Sequence, residues 1–301
     1  MYKVNSKLTL GLMCFSLLFI SCSDDKNRTN KGNIVVNKNS DTKKIEIKSM
    51  FEVAFYGQPQ LIQRYLDHNH SINGEDINSN STPIYYAIQN NQVSTIQPFI
   101  DNGANIAHRN SLGQTPLLSA VTLGRGKIVD ILLKNGADIN AKDNNGLSTL
   151  IYAIQNKRDT IAKKLIEQGA SLDGENVHKV TPLHIALQQN NGALIKLLIE
   201  KGVDVNAQNR EGSTVLHYAL MKKNSRIAKL LITKKINVNL QDQSGATALH
   251  IAVANNDLEM VKLLLKNGID KTLKNTQGDT ALDVAKKSWR TDIKKVLEDE
   301  K

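Results

Sequence analysis

The sequence predicts an all-α fold, a solenoid of about eight helix-turn-helix units with projecting fingers, each unit 33 residues long. Three observations predict it. Alanine recurs at Ala54, Ala87, Ala120, Ala153, Ala186, Ala219, Ala252 and Ala285, always 33 residues on. A fixed period of this length marks a stacked array in which each unit buries its apolar face on the next. Five residues before each alanine stands a hydroxyl residue: Ser49, Thr82, Thr115, Ser148, Thr181, Thr214, Thr247 and Thr280. Later in the units, Leu132 with Leu133, Leu165 with Ile166, Leu198 with Ile199, Leu231 with Ile232 and Leu264 with Leu265 end apolar stripes at helical spacing.

The first helix of each unit opens at the hydroxyl, whose oxygen caps a backbone N–H. Pro83, Pro116 and Pro182 take the first helical position, where a missing N–H costs nothing. Four residues after the cap stand Val53, Tyr86, Ser119, Tyr152, Ile185, Tyr218, Ile251 and Val284, so tyrosines either pack beside smaller neighbours or line an open face. The second helix ends at Gly103, Gly136, Gly169, Gly202 or Gly268, suited to a left-handed C-terminal cap. An extended finger closes the unit, with tips as different as "RNSLGQ", "DNNGLS", "NREGST", "DQSGAT" and "NTQGDT". Local departures predict kinks or looser caps: His70 and Lys235 replace the helix-end glycine, Lys179 replaces the glycine preceding Thr181, and Pro98 lies inside a second helix. The first and last units are atypical and read as caps, since an interior repeat at either end would expose its apolar face.

Residues 1–48 read differently. Lys3 and Lys7 precede a 13-residue, mostly apolar run from Leu8 to Ile20. That is too short for a membrane span of roughly 20 residues and has the layout of a secretory signal peptide. The division expected is a signal peptide over 1–21, a flexible tether over 22–48 rich in Asn, Lys, Asp and Ser, and the repeat array over 49–301. Of the two cysteines, Cys14 lies inside the apolar run and Cys22 at its polar break, so the array must hold together by packing without a disulfide.

"TPLHIA" at 181–186, "TVLHYA" at 214–219, "TALHIA" at 247–252 and "NGADIN" at 135–140, on a period of 33, resemble the ankyrin repeat over residues 49–301. The resemblance implies a right-handed stack of helix pairs with fingers on one side and a concave surface that binds other proteins. It also implies that His184, His217 and His250 hydrogen-bond the turn near the capping threonine. The stretch "FISC" resembles the lipobox of bacterial lipoproteins, with Phe19 bulkier than usual. That likeness implies a lipid on Cys22 and a place in the bacterial cell envelope, at the outer membrane, facing periplasm or cell exterior. "CSDD" resembles a signal for outer-face display.

The chemistry-bearing residues argue against catalysis. No Gly-x-Ser-x-Gly elbow, Gly-x-x-x-x-Gly-Lys phosphate loop or His-Glu-x-x-His pair occurs. His184, His217 and His250 fall on neighbouring helices roughly 8–10 Å apart, too far to share an ion that wants nitrogens at ~2.0–2.1 Å. His68 and His70 lack a third ligand. No metal or cofactor is expected. The net charge of +10, or +8 without Lys3 and Lys7, comes from basic residues scattered on helix ends and tails. In an exported chain this favours solvation, an acidic partner or an anionic lipid surface over nucleic acid.

The function expected is a monomeric, lipid-anchored, non-catalytic protein-binding module, most sharply an inhibitor or immunity protein that sequesters a toxin-like partner. The alternative is an envelope scaffold, and a remote one is an enzyme. The binding face expected runs over the middle fingers, Asn144, Asn145, Arg210, Glu211, Gln243 and Ser244, with Tyr152 and Tyr218 behind them. Tyrosine and arginine are enriched among the residues that dominate interfaces.

Overall fold

A computed structural model describes residues 47–234 and 236–299. The expected signal peptide, Cys22, the part of the expected tether up to residue 46, Lys235 and residues 300–301 lie outside the described residues. Among the described residues are sixteen α-helices and no strand, only an isolated antiparallel bridge between Lys142 and Ser148. Ser49–Lys301 forms one compact unit.

The helices come in eight pairs. First helices, each of seven residues, are α1 (Met50–Tyr56), α3 (Pro83–Gln89), α5 (Pro116–Thr122), α7 (Thr149–Gln155), α9 (Pro182–Gln188), α11 (Val215–Met221), α13 (Ala248–Ala254) and α15 (Ala281–Lys287). Their partners are α2 (Ile62–Asp67), α4 (Val93–Asp101), α6 (Gly126–Lys134), α8 (Asp159–Glu167), α10 (Gly192–Glu200), α12 (Ser225–Thr233), α14 (Leu258–Lys266) and α16 (Thr291–Asp299). Helices this short are marginal alone, so packing must hold them. All eight period-marking alanines are fully buried, and each first helix packs against the first helix of the next repeat. A small residue there lets neighbouring backbones approach closely.

The hydroxyl caps form as expected at Ser49, Thr115, Ser148, Thr181, Thr214 and Thr280, whose oxygens accept a backbone N–H three residues on. Thr82 departs: its Oγ1 is buried without a hydrogen-bond partner, and Pro83 alone sets the helix start.

The helix-end glycines take the left-handed conformation, with φ from +77° to +86°. At the first repeat the same role shifts one position, from His70 to Asn69, at φ +64°. Lys179 sits at φ +55°, where the equivalent residues of other fingers are Asn80, Gly113, Gly146, Gly212, Gly245 and Gly278, all left-handed. It therefore carries a strain that glycine avoids. The kink or looser cap expected at Pro98 does not shorten its helix, because α4 keeps the nine residues of its counterparts. Ser94, whose carbonyl loses its helical partner to the proline ring, is exposed and open to water. A second left-handed position lies in the turn between the helices of a pair, at Asn91, Gly124, Lys157, Asn190, Lys223, Asn256 and Trp289, with φ from +54° to +71°.

Candidate functional site

Six successive fingers, those before α5 to α15, are each built on one Asp or Asn five residues before the helix cap; the finger before α3 uses Asp76, six residues before Thr82, which accepts the Asn78 and Ser79 N–H groups at 2.9 Å. In the second repeat the residue is Asn110, whose Oδ1 accepts the N–H groups of Leu112 and Gln114, both at 3.0 Å. Asp143, Asn176, Asn209, Asp242 and Asn275 repeat the arrangement, each taking the N–H groups two and four residues on at 2.8–3.0 Å. A short side chain that folds back on its own backbone fixes a turn and leaves the intervening tips outward.

Successive fingers are laced together. The N–H groups of Ser111, Asn144, Arg210, Gln243 and Thr276 donate to the carbonyls of Ser79, Leu112, His178, Glu211 and Ser244 at 2.8–3.3 Å. The same step between Asn145 and Val177 carries no such bond, so the row of fingers is interrupted between the third and fourth repeats.

Histidine ties the C-terminal half. His184 Nδ1 faces the Thr181 hydroxyl at 2.9 Å, and its Nε2 meets, at 3.1 Å, the carbonyl of Ser213 at the end of the finger leading into the next first helix. His217 and His250 do the same toward Ala246 and Asp279, at 3.1 and 3.0 Å. A carbonyl only accepts, so Nε2 carries the proton, and Nδ1 accepts from the threonine side. Burial pushes His184 and His217 below their ordinary range, against the opposing pull of those carbonyls. In the second repeat Tyr85 stands at the histidine position, and its hydroxyl reaches the carbonyls of His108 and Gln114 at 2.7 Å each. Leu118 and Ile151 make no such tie in the third and fourth repeats.

The alternating tyrosines bind the first helices to their own fingers. Tyr86 donates to Asp76 Oδ2 at 3.0 Å, Tyr152 donates to Asp143 Oδ2 at 2.8 Å, and Tyr218 accepts from Asn209 Nδ2 at 3.0 Å. Burial first, and the facing carboxylate second, push Tyr86 and Tyr152 up to about 12. Burial would raise the Asp76 carboxyl, but bonds from the Asn78 and Ser79 N–H groups and the Tyr86 hydroxyl outweigh it and hold it low.

Of the expected binding residues, Asn144, Asn145, Arg210, Glu211, Gln243 and Ser244 are all exposed on finger tips. Asn144 and Gln243 also spend side-chain groups on the preceding finger, donating to Ser111 and Arg210 carbonyls at 3.2 and 2.8 Å. Tyr218 is half-buried. Tyr152 is only 8 % exposed and bonded on both sides, since Gln114 Nε2 also donates to its hydroxyl at 3.1 Å, so its ring belongs to the frame. Three apolar finger residues escaped the sequence reading: Ile77, Leu112 and Val177, exposed at 97 %, 51 % and 55 %. Their isolation from any apolar stripe was the available signal. Cys22 lies outside the described residues.

The described residues thus present variable tips on a hydrogen-bonded frame, with both nitrogens of each repeat histidine engaged. Comparisons with known proteins agree with this construction. A family model described as ankyrin repeats (3 copies) matches residues 50–143, 139–209, 190–275 and 216–299. No curated protein matches the chain. Among solved structures, a crystallised ankyrin repeat domain from Acinetobacter baumannii AYE is similar at 28% identity and a TM-score of 0.56, over 61% of this chain and 96% of that one. With the repeat model matched over most of its length and the frame built to the same plan, the chain belongs to the ankyrin-repeat family.

Proposed function

We propose that the chain is a lipid-anchored binder of the bacterial envelope that sequesters one protein partner through its finger tips, in the manner of an inhibitor or immunity protein. The observation that carries the binding part is the division of labour in the fingers. Asp or Asn bases, backbone lacing and buried tyrosines hold the frame, while the exposed tips differ from repeat to repeat. A rigid frame lowers the entropic cost of ordering a binding surface. Exposed Ile77, Leu112, Val177 and Arg210 supply apolar and cationic anchors on that surface. The anchor rests on "FISC", with its single cysteine at the polar break.

The test is capture of a partner from envelope extracts on the full chain, followed by assay of the partner's own activity. Sequestration requires that activity to fall in proportion to the bound fraction. A partner that is captured with undiminished activity would leave the scaffold reading in its place.

A further inference from the structure

At the edge opposite the fingers, where a first helix turns into its partner, the second helices do not pack evenly. α4 packs on α6, α6 on α8, α8 on α10 and α14 on α16, whereas α12 makes sparser contact with both α10 and α14. The cause is local. α10 opens with Gly192 and Ala193, α12 opens with Ser225, and a Cβ placed on Gly192 would meet no atom within 4 Å. Small residues at that spot leave an open cleft of about 1030 Å³ with buried Leu187 and Ile227 at its base.

Four cations surround it: Lys196 from α10, Lys222 and Lys223 from the α11–α12 turn, and Arg226 from α12. All four are exposed, and no carboxylate lines the cleft. None of the four belongs to an ion pair among the described residues. Asp257 approaches through Ser225 Oγ at 3.2 Å, but its other oxygen accepts the Met260 N–H at 3.0 Å. Asp159 and Glu200 line the neighbouring groove between α8 and α10, which shares Lys196. Like charges gathered this way repel one another, and a concave wall concentrates their field.

We propose that this cleft docks an acidic, extended segment of a protein partner, its carboxylates meeting Lys196, Lys222, Lys223 and Arg226 and an apolar side chain entering toward Leu187 and Ile227. A concave site with an apolar base suits a peptide better than a flat lipid surface, which would reach the rim but not the base. The site is separate from the finger tips and does not depend on them for its argument.

The test uses the full chain in nonionic detergent and fluorescence anisotropy of a short labelled peptide alternating glutamate and leucine, near physiological ionic strength. The peptide should bind, and its glutamine counterpart should not. Lys222→Glu with Lys223→Glu should weaken binding by about tenfold or more, while Lys294→Glu with Lys295→Glu on α16 changes it less than about twofold. Ala193→Trp, which fills the cleft without changing charge, should weaken binding as the first pair does. Equal losses from both charge pairs would reduce the effect to the general field of the protein and overturn the proposal. Undiminished binding to the Ala193→Trp chain would overturn it too. So would binding to phosphatidylglycerol vesicles that depends on Lys222 and Lys223 while the peptide fails to bind.

Discussion

Replacing His217 with alanine strikes the lacing of the C-terminal repeats at one atom pair on each side. The imidazole is 1 % exposed, with Nδ1 accepting the Thr214 N–H and Nε2 donating to the Ala246 carbonyl, each at 3.1 Å. Truncation leaves a buried N–H and a buried carbonyl without partners, at about 1–3 kcal/mol each, and opens a void whose lining loses contacts. A loss of about 3 kcal/mol is expected, at the low end of that sum because water can enter the part of the void nearest the fingers. pH supplies a second signature. Burial holds the native pKa of His184 and His217 below the ordinary 6.5, so below that value the unfolded chain binds protons that the native chain refuses. The stability tied to the neutral rings is whole above pH 6.5 and is lost as pH falls toward the lowered native values. Protonation of Nδ1 would also set a donor against the Thr214 N–H. The assay is urea unfolding of the full chain followed by circular dichroism, at neutral pH and at about pH 5.5. Wild type should lose stability between the two, and the His184→Ala, His217→Ala double variant should lose less. A His217→Ala cost under about 0.5 kcal/mol, or an unchanged pH slope in the double variant, would refute the reasoning.

Lys179→Gly should stabilise the chain by about 0.5–1 kcal/mol, read as a higher urea midpoint at unchanged m, because it relieves a left-handed residue at φ +55° while adding some freedom to the unfolded chain. The Val177 N–H, which has no carbonyl of the preceding finger to bond, should exchange with deuterium faster than the Arg210 N–H, bonded to His178 at 2.9 Å; equal protection would count against a gap in the lacing. Cys22→Ala should abolish membrane fractionation of the mature protein or leave the precursor unprocessed, since stable anchoring needs acyl chains.

The period, the caps and the helix ends were legible because each rests on one residue type at one spacing: alanine for close packing, a hydroxyl for capping, glycine for the left-handed end. The left-handed turn between paired helices was not, because Asn, Gly, Lys and Trp all occupy it and tertiary packing overrides local preference there. The finger base is legible in the sequence, since Asp or Asn recurs from Asn110 to Asn275 on the same period, although the variable tips beside it mask the regularity. Tyr152 shows why spacing alone mislocates a ring. Only the fold reveals that Asp143 and Gln114 converge on its hydroxyl. The basic cleft was illegible for a similar reason. Lys196 is far in sequence from Lys222, Lys223 and Arg226, and the cleft exists because Gly192 and Ala193 leave room between two helices.

The most direct test of the central claim, that the finger tips bind the partner, is the affinity of the captured partner for variants of the full chain measured by calorimetry. Arg210→Ala and Leu112→Ala, both exposed on fingers, should each weaken binding, with the larger effect reaching about 2 kcal/mol, whereas Lys163→Ala on the outer face of α8 should change it by less than about 0.5 kcal/mol. Affinity that falls with Lys163→Ala and ignores every finger substitution would contradict the account.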